Sequence, residues 1–209
     1  MVDLKGIGIS CFRAVHDACV SLASRGMEKE LARRNALRGL GGLRWFAPEE
    51  AATAGALARI MVPSDEETPG IDDIDVLGPP AIEILDRLLK ADAHKQYLYS
   101  RGLLSFDMWA MKAHGCKFAE MTANDQVMLV NAAQKCAEEL LAGSAIGKAW
   151  RRLRSIAGIG SGRFFAAQLF REIRRDCLQV FYTSRVSWVW LEYDGPPMDE
   201  GYPRLAPRR

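Results

Sequence analysis

The sequence has no apolar run of about 18 residues or more, so it contains no predicted transmembrane helix. It also lacks a large excess of charge of either sign, because 28 Lys and Arg residues balance 26 Asp and Glu residues to leave a formal net charge of +2. Dedicated nucleic-acid-binding domains usually have a stronger basic excess. These two absences argue against a membrane-spanning protein and against a nucleic-acid-binding protein.

Motifs of the common catalytic and metal sites are missing as well. No two cysteines have the Cys-x-x-Cys spacing of zinc ribbons, and no histidine is followed by another four residues later. There is no Gly-x-Ser-x-Gly elbow and no Gly-Lys-Ser/Thr of a P-loop. The glycines at 158, 160 and 162 follow a segment predicted as helix rather than strand, so they indicate a turn between helices. We therefore expect no catalytic residue, no metal ligand and no cofactor in this chain.

Apolar residues recur at helical spacing along most of the chain, and strand patterns are almost absent. Helices are predicted at about residues 27–40, 48–61, 81–93, 95–113, 122–142, 144–156 and 162–180, after an amphipathic stripe of Phe12, Val15, Cys19 and Leu22. Only residues 187–191 alternate in the manner of a strand. The predicted fold class is mostly α: a compact helical bundle with an irregular aromatic and proline-rich C-terminal tail.

The chain is predicted to have two parts. Residues 1–45 form an N-terminal helical extension, and residues 46–209 form the main domain. Charged residues interrupt the apolar part of residues 1–22, which makes this segment a poor signal peptide. The pair Arg33 and Arg34 precedes a short glycine-rich stretch instead of the apolar segment of an export signal, so both arginines are predicted on a helix surface.

Three features have the composition of a partner surface. The predicted loop 63–80 is acidic and residues 148–175 are basic, and each is either a solvated face or a docking surface. Aromatic residues near the C-terminus either cap the core or anchor a partner. They are Phe181, Tyr182, Trp188, Trp190, Tyr193 and Tyr202. The number of cysteines is odd, and Cys177 is either a buried thiol or one half of an intersubunit disulfide.

Three segments together resemble the gluconate 2-dehydrogenase subunit 3 family. The first, residues 58–70, runs from a helix into a loop of the form Pro-x-Asp-x-x-x-Pro-Gly. The second, residues 99–113, has a Gly-Leu-x-x-x-Asp-x-x-Ala pattern built on Gly102 and Asp107, with Phe118 and Gln126 beyond it. The third contains Phe181, Tyr182, Thr183, Ser184, Trp188, Gly195, Pro196, Pro197, Gly201, Tyr202 and Pro203. The resemblance spans about residues 46 to 205 and depends on the order and spacing of these segments.

The resemblance implies a small, non-catalytic subunit that accompanies a large flavoprotein of the glucose–methanol–choline oxidoreductase class and supports its maturation. In such complexes the FAD and the substrate chemistry belong to the large subunit, and a cytochrome c subunit often passes electrons onward. Family members often carry a twin-arginine signal, and none with an apolar segment is visible here. The localisation therefore stays open between periplasmic or membrane-associated, through the complex, and cytoplasmic.

The predicted partner surface combines the loop around Pro69 and Gly70 with the C-terminal region. Its residues are Pro69, Gly70, Cys177, Phe181, Tyr182, Trp188, Trp190, Tyr193, Pro196, Pro197 and Tyr202. Two other functions stay open. A stand-alone helical enzyme with a spatially assembled site would show turnover or bound metal in the isolated chain. A helical domain that binds nucleic acid through the basic residues of 148–175 would show salt-dependent binding to DNA or RNA.

Overall fold

The computed structural model describes residues 25–39, 42–90, 92–142 and 162–193, and these ranges contain seven helices. They are α1 (residues 25–36), α2 (Pro48–Met61), α3 (Ala81–Lys90), α4 (Ala93–His114), α5 (Ala123–Ala142), α6 (Gly162–Tyr182) and α7 (Arg185–Trp190). Short 3₁₀ turns lie at Asp72–Val76 and Phe118–Glu120. The described ranges contain no strand, so the prediction of a mostly α bundle is confirmed.

Local signals set the helix starts that the sequence predicted. Pro48 is the first residue of α2, and the Glu50 carboxylate accepts the backbone N–H of Ala47 at 3.1 Å. At the start of α5 the Thr122 hydroxyl accepts the backbone N–H of Asp125 at 3.3 Å and donates to its carboxylate at 2.8 Å. Such caps satisfy backbone donors that a helix leaves free in its first turn. Both starts therefore follow from residues within one helical turn.

Helix α6 lies at the centre of the bundle. It contacts α2, α3, α4, α5 and α7, most extensively α4 and α5. Its predicted apolar stripe is buried at Phe165, Leu169, Ile173 and Cys177, whereas Phe164 is half-buried. Because five helices pack against it, α6 supplies the common core on which the other elements are positioned.

A glycine sets the distance between α4 and α6. A Cβ atom added at Gly102 would lie 2.4 Å from the Cβ of Leu169, far inside van der Waals contact. The side chain of Leu169 is fully buried and meets α4 at this position. Any larger residue at 102 would push the two helices apart, at a cost typical of overpacked cores.

A buried carboxylate also joins these two helices. Asp176 on α6 accepts hydrogen bonds from the Lys95 ammonium at 2.6 Å and from the Tyr99 hydroxyl at 2.9 Å, both on α4. Burial, together with the negative charge of Asp176, raises the pKa of Tyr99 well above its ordinary value. The phenol therefore keeps its proton and remains a hydrogen-bond donor to Asp176.

The connection between α1 and α2 is anchored by Asp86 on α3. Its buried carboxylate accepts three consecutive backbone N–H groups, from Arg44 at 2.7 Å, Trp45 at 2.9 Å and Phe46 at 2.8 Å. The rings of Trp45 and Phe46 enter the core directly beside this carboxylate. One side chain thereby fixes both the path of the connection and two core aromatics.

Asp107 on α4 joins elements that are far apart in the sequence. Its carboxylate accepts hydrogen bonds from the Arg34 guanidinium at 2.7 Å, the Thr53 hydroxyl at 2.9 Å and the backbone N–H of Phe118 at 3.2 Å. Arg34 is only 1% exposed, so its predicted place on a helix surface is wrong. Arg33 does lie on the surface, paired with Glu30.

The predicted strand at residues 187–191 is also wrong, because Arg185–Trp190 forms α7. Ser184 caps this helix by accepting the backbone N–H of Ser187 at 3.3 Å, and the Ser187 hydroxyl donates back to the Ser184 carbonyl at 2.9 Å. An alternating pattern of five residues is too short to separate a strand from a one-turn helix. The capping serine was the stronger signal.

Several predicted features lie outside the described residues. They are the amphipathic stripe of residues 12–22, the helix at 144–156, the glycine-rich turn at 158–162 apart from its last residue, and the tail from residue 194 onward. Of the predicted basic surface, Arg163, Arg171, Arg174 and Arg175 lie on α6, and the remaining members are in the undescribed segment.

Candidate partner interface

The fold brings together two segments that the sequence predicted as parts of one surface. Helix α7 packs against the 3₁₀ turn Asp72–Val76, which belongs to the acidic loop. The two segments are separated by more than a hundred residues in the sequence. Their contact creates one continuous region at one end of the bundle.

This region carries large apolar side chains that project into solvent. The apolar platform, as we call it, consists of Val76, Leu77, Val189, Trp190 and Leu191. Val76 is 76% exposed and Val189 is 71% exposed. Single exposed apolar residues are common on protein surfaces, but clusters on adjoining elements mark interaction sites. These five residues are therefore candidates for a contact surface.

Aromatic packing supports the platform from below. The ring of Trp190 packs against Phe181 with centroids 6.4 Å apart, and Phe181 is buried in the core. The indole N–H of Trp188 donates to the backbone carbonyl of Tyr182 at 2.9 Å, and its ring meets Tyr193 edge-on. These contacts join α7 to the end of α6 and position the platform residues on it.

The loop around Pro69 and Gly70 leads into the 3₁₀ turn that carries Val76. Hydrogen bonds from the Thr68 side chain and from the backbone N–H groups of Glu67 and Thr68 lower the pKa of Asp65. A Cβ atom at Gly70 would lie 2.4 Å from the backbone nitrogen of Ser64, so only glycine fits this close approach. The backbone N–H of Gly70 then donates to Asp73 at 2.6 Å, which leads the chain into the 3₁₀ turn.

The predicted interface residues divide into three groups in the structure. Tyr182, Trp190 and Tyr193 are exposed, and Trp188 and Pro69 are half-buried. Gly70, Cys177 and Phe181 are buried in the chain by itself. The remaining residues, Pro196, Pro197 and Tyr202, lie outside the described ranges.

The sequence did not predict four apolar members of the platform, because aromatic residues were the signal for that surface. They are Val76, Leu77, Val189 and Leu191. A signal for two of them was present: Val76 and Leu77 form an apolar pair within an otherwise acidic loop.

The thiol of Cys177 is inaccessible in the folded chain. Burial raises its pKa from 9.0 to about 12, and the neighbouring Asp176 charge acts in the same direction.

We expect brief alkylation of the native protein to leave the Cys177 peptide unmodified while the half-buried Cys116 and Cys136 react, as read by mass spectrometry. The pKa of this thiol is higher in the folded chain than in the unfolded chain. Its contribution to the free energy of unfolding is therefore fully present below about pH 9, and it is lost as the pH rises toward 12, because the unfolded chain loses the proton first. Rapid labelling of Cys177 at pH 8 would contradict this assignment.

Two other kinds of site, for metal ions and for membranes, concern residues 25–39, 42–90, 92–142 and 162–193. In these ranges no three His, Cys, Asp or Glu side chains are grouped so that they could hold a metal ion. No helix in the same ranges is both long enough and apolar enough to cross a membrane.

The sequence pattern of the gluconate 2-dehydrogenase subunit 3 family matches residues 48–195, which is more than half of the chain. The chain belongs to this family. No curated protein and no solved structure gives a significant match. The matched range of the gluconate 2-dehydrogenase subunit 3 domain includes α2 through α7 in full. Helix α1 precedes it, yet Arg34 on α1 reaches Asp107 inside it.

The residues that carried the resemblance to gluconate 2-dehydrogenase subunit 3 have structural roles. Gly102 allows the close contact of α4 and α6, and Asp107 joins α1, α2 and the turn at Phe118. The Gln126 amide donates to the Phe118 carbonyl at 2.9 Å, which closes the turn before α5. Gly70 shapes the loop that carries half of the platform. These residues therefore fix the packing of the helices and the path of the loop that carries Val76 and Leu77.

Proposed function

We propose that this chain is a non-catalytic accessory subunit of a flavin-dependent dehydrogenase complex. It binds the large subunit, a flavoprotein of the glucose–methanol–choline class, and supports the maturation of that subunit. FAD and the substrate chemistry belong to the large subunit, and a cytochrome c subunit carries the electrons onward. Family membership supports a place in such a complex, and the apolar platform is the observation that supports binding.

The platform has the energetic properties of a binding surface. Fully burying one Val, Leu or Phe side chain contributes about 1.5–3 kcal/mol, and Trp is among the residues whose truncation most weakens protein complexes. Because Phe181 holds Trp190 in place, little side-chain freedom is lost when the indole meets a partner. The platform is thus prepared for binding before the partner arrives.

Acidic side chains border the platform. Asp72 and Asp75 are exposed on the 3₁₀ turn that carries Val76, although Asp72 also pairs with Arg59 at 2.9 Å. An apolar centre with a charged rim is the usual anatomy of a protein interface. The rim favours a partner surface with basic residues around an apolar recess, and it makes the association rate depend on salt.

Affinity purification of the tagged chain from its native host, with an absorption spectrum and mass spectrometry of the eluate, tests the proposal directly. The expected result is a larger protein of the glucose–methanol–choline class with an oxidised-flavin spectrum. A lone, colourless chain after mild extraction would contradict the proposal and favour an independent activity.

A substitution in the platform tests whether this surface makes the contact. Val189→Asp places a charge in the platform and is expected to weaken binding of the flavoprotein by at least about tenfold, equivalent to about 1.4 kcal/mol. Val127→Asp is the matched control, because Val127 is an exposed valine on α5 that lies away from α7. Circular dichroism checks that both variants fold. A folded Val189→Asp variant that binds as tightly as the control would refute the platform as the contact surface.

A further inference from the structure

A second surface, which shares no residue with the platform, lies between α1 and α4. An open groove of about 330 Å³ runs between α1 and the C-terminal half of α4. Its apolar lining comes from Leu104, Met108 and Met111. Met111 is 49% exposed, and flexible methionines are common on surfaces that adapt to a partner. The groove is a concave apolar site with no occupant among the described residues.

A buried arginine in the lining of this groove has an unused hydrogen-bond donor. The Nε of Arg34 donates to Glu30 at 3.2 Å, and its Nη2 donates to Asp107 at 2.7 Å. Its Nη1 is buried and has no hydrogen-bond partner among the described residues. Buried donors in folded proteins almost always have an acceptor, so Arg34 carries more positive charge than its two carboxylate contacts satisfy.

The ionisable groups of the groove leave a positive excess. Three cations line it, Arg34, Lys112 and Lys117, against two carboxylates, Glu30 and Asp107. Both carboxylates are already paired with Arg34, and Lys117 is paired with Glu49 at 3.0 Å. Lys112 has no ion pair among the described residues. The charge left for an incoming group is therefore positive, next to an apolar lining.

These properties select one kind of occupant. An inorganic anion would leave the apolar lining exposed, and it would compete with water in an open groove. A peptide segment can bury an apolar side chain over the two methionines and also offer a carboxylate to Lys112, with Arg34 contributing positive charge from below. Such a segment satisfies both parts of the groove.

We propose that the α1–α4 groove is a second contact site for the flavoprotein subunit and that it takes a segment in which an apolar residue lies next to an acidic one. This inference depends on the proposed function, because the occupant comes from the same partner. The platform and the groove would then bind two separate parts of the flavoprotein.

Substitutions at exposed methionines test the groove. Met111→Glu introduces a negative charge and is expected to weaken binding of the co-purified flavoprotein by at least about tenfold, whereas Met111→Leu keeps the apolar lining and leaves binding within about threefold of the native value. Met128→Glu is the matched control, since Met128 is a 70% exposed methionine on α5 that does not line the groove. Thermal melts followed by circular dichroism confirm that the three variants remain folded.

The outcomes separate this inference from the proposed function. If Val189→Asp weakens the complex and Met111→Glu does not, the groove inference fails and the accessory-subunit proposal stands. If Met128→Glu weakens binding as much as Met111→Glu, the weakening comes from added negative charge and not from its place in the groove, and the groove inference also fails. If no flavoprotein co-purifies with the native chain, both fail. Weakening by Met111→Glu alone among the three methionine variants supports the groove.

Discussion

Replacing Asp107 by alanine is expected to lower the free energy of unfolding by about 3–5 kcal/mol, the usual cost of removing one partner of a buried ion pair. The variant leaves the Arg34 guanidinium buried, with the partly exposed Glu30 at 3.2 Å and Glu49 at 3.8 Å as its remaining carboxylates. The Thr53 hydroxyl and the Phe118 backbone N–H lose their acceptor at the same time. Urea denaturation followed by circular dichroism measures the difference.

Two further variants separate the effect of the buried charge from that of the hydrogen bonds to Thr53 and Phe118. Asp107→Asn keeps an oxygen for Thr53 and Phe118 but removes the charge that faces Arg34. Its free energy of unfolding is therefore expected to fall by most of the amount that Asp107→Ala loses. Adding Arg34→Met to Asp107→Ala removes the uncompensated cation and is expected to restore about 1–2 kcal/mol. A double variant that is less stable than Asp107→Ala would show that the buried pair is not the dominant contact.

Replacing Asp86 by alanine is the second change with a large expected effect. It leaves the backbone N–H groups of Trp45 and Phe46 buried without an acceptor and removes the contact to Arg44. Each unpaired buried donor costs about 1–3 kcal/mol, so the free energy of unfolding should fall by about 3 kcal/mol or more. Tryptophan fluorescence should shift during the same transition, because Trp45 is buried beside this carboxylate.

Asp86→Asn is the control for this prediction. In the native chain one carboxylate oxygen accepts both Trp45 and Phe46, and the other accepts only Arg44. An asparagine oxygen can keep the first pair of hydrogen bonds, so the expected loss is about 1 kcal/mol. Equal losses for the two variants would mean that the charge of Asp86, rather than its acceptor geometry, stabilises the connection.

The elements that were predicted correctly are those whose signals are local. Pro48 with Glu50, and Thr122 with Asp125, each act within one helical turn, and the two helices begin as expected. The apolar stripe of α6 was also correct, because helical periodicity fixes one face whatever that face meets. The error at residues 187–191 has the same origin, since five residues are too few for periodicity to decide.

The features that were not predicted depend on residues distant in the sequence. Arg34 is buried because Asp107, which is 73 residues away, accepts its hydrogen bond, and no local pattern around Arg34 contains that information. The platform likewise exists only because α7 meets the turn at Asp72–Val76. The C-terminal aromatic residues predicted a surface, but the sequence did not indicate which rings face outward. Packing leaves Phe181 buried and Trp190 exposed.

The close packing of α4 on α6 has a consequence during synthesis on the ribosome. Helix α4 ends at His114 and α6 ends at Tyr182, so the apolar face of α4 is made well before the helix that covers it. At about 5–20 residues per second, the delay is on the order of 3–14 s. Throughout that interval the nascent chain lacks the buried Leu169 side chain that packs against Gly102 of α4 in the finished protein. A chaperone that recognises apolar helices therefore has several seconds in which to bind it, and a chain cut short before α6 is prone to aggregate.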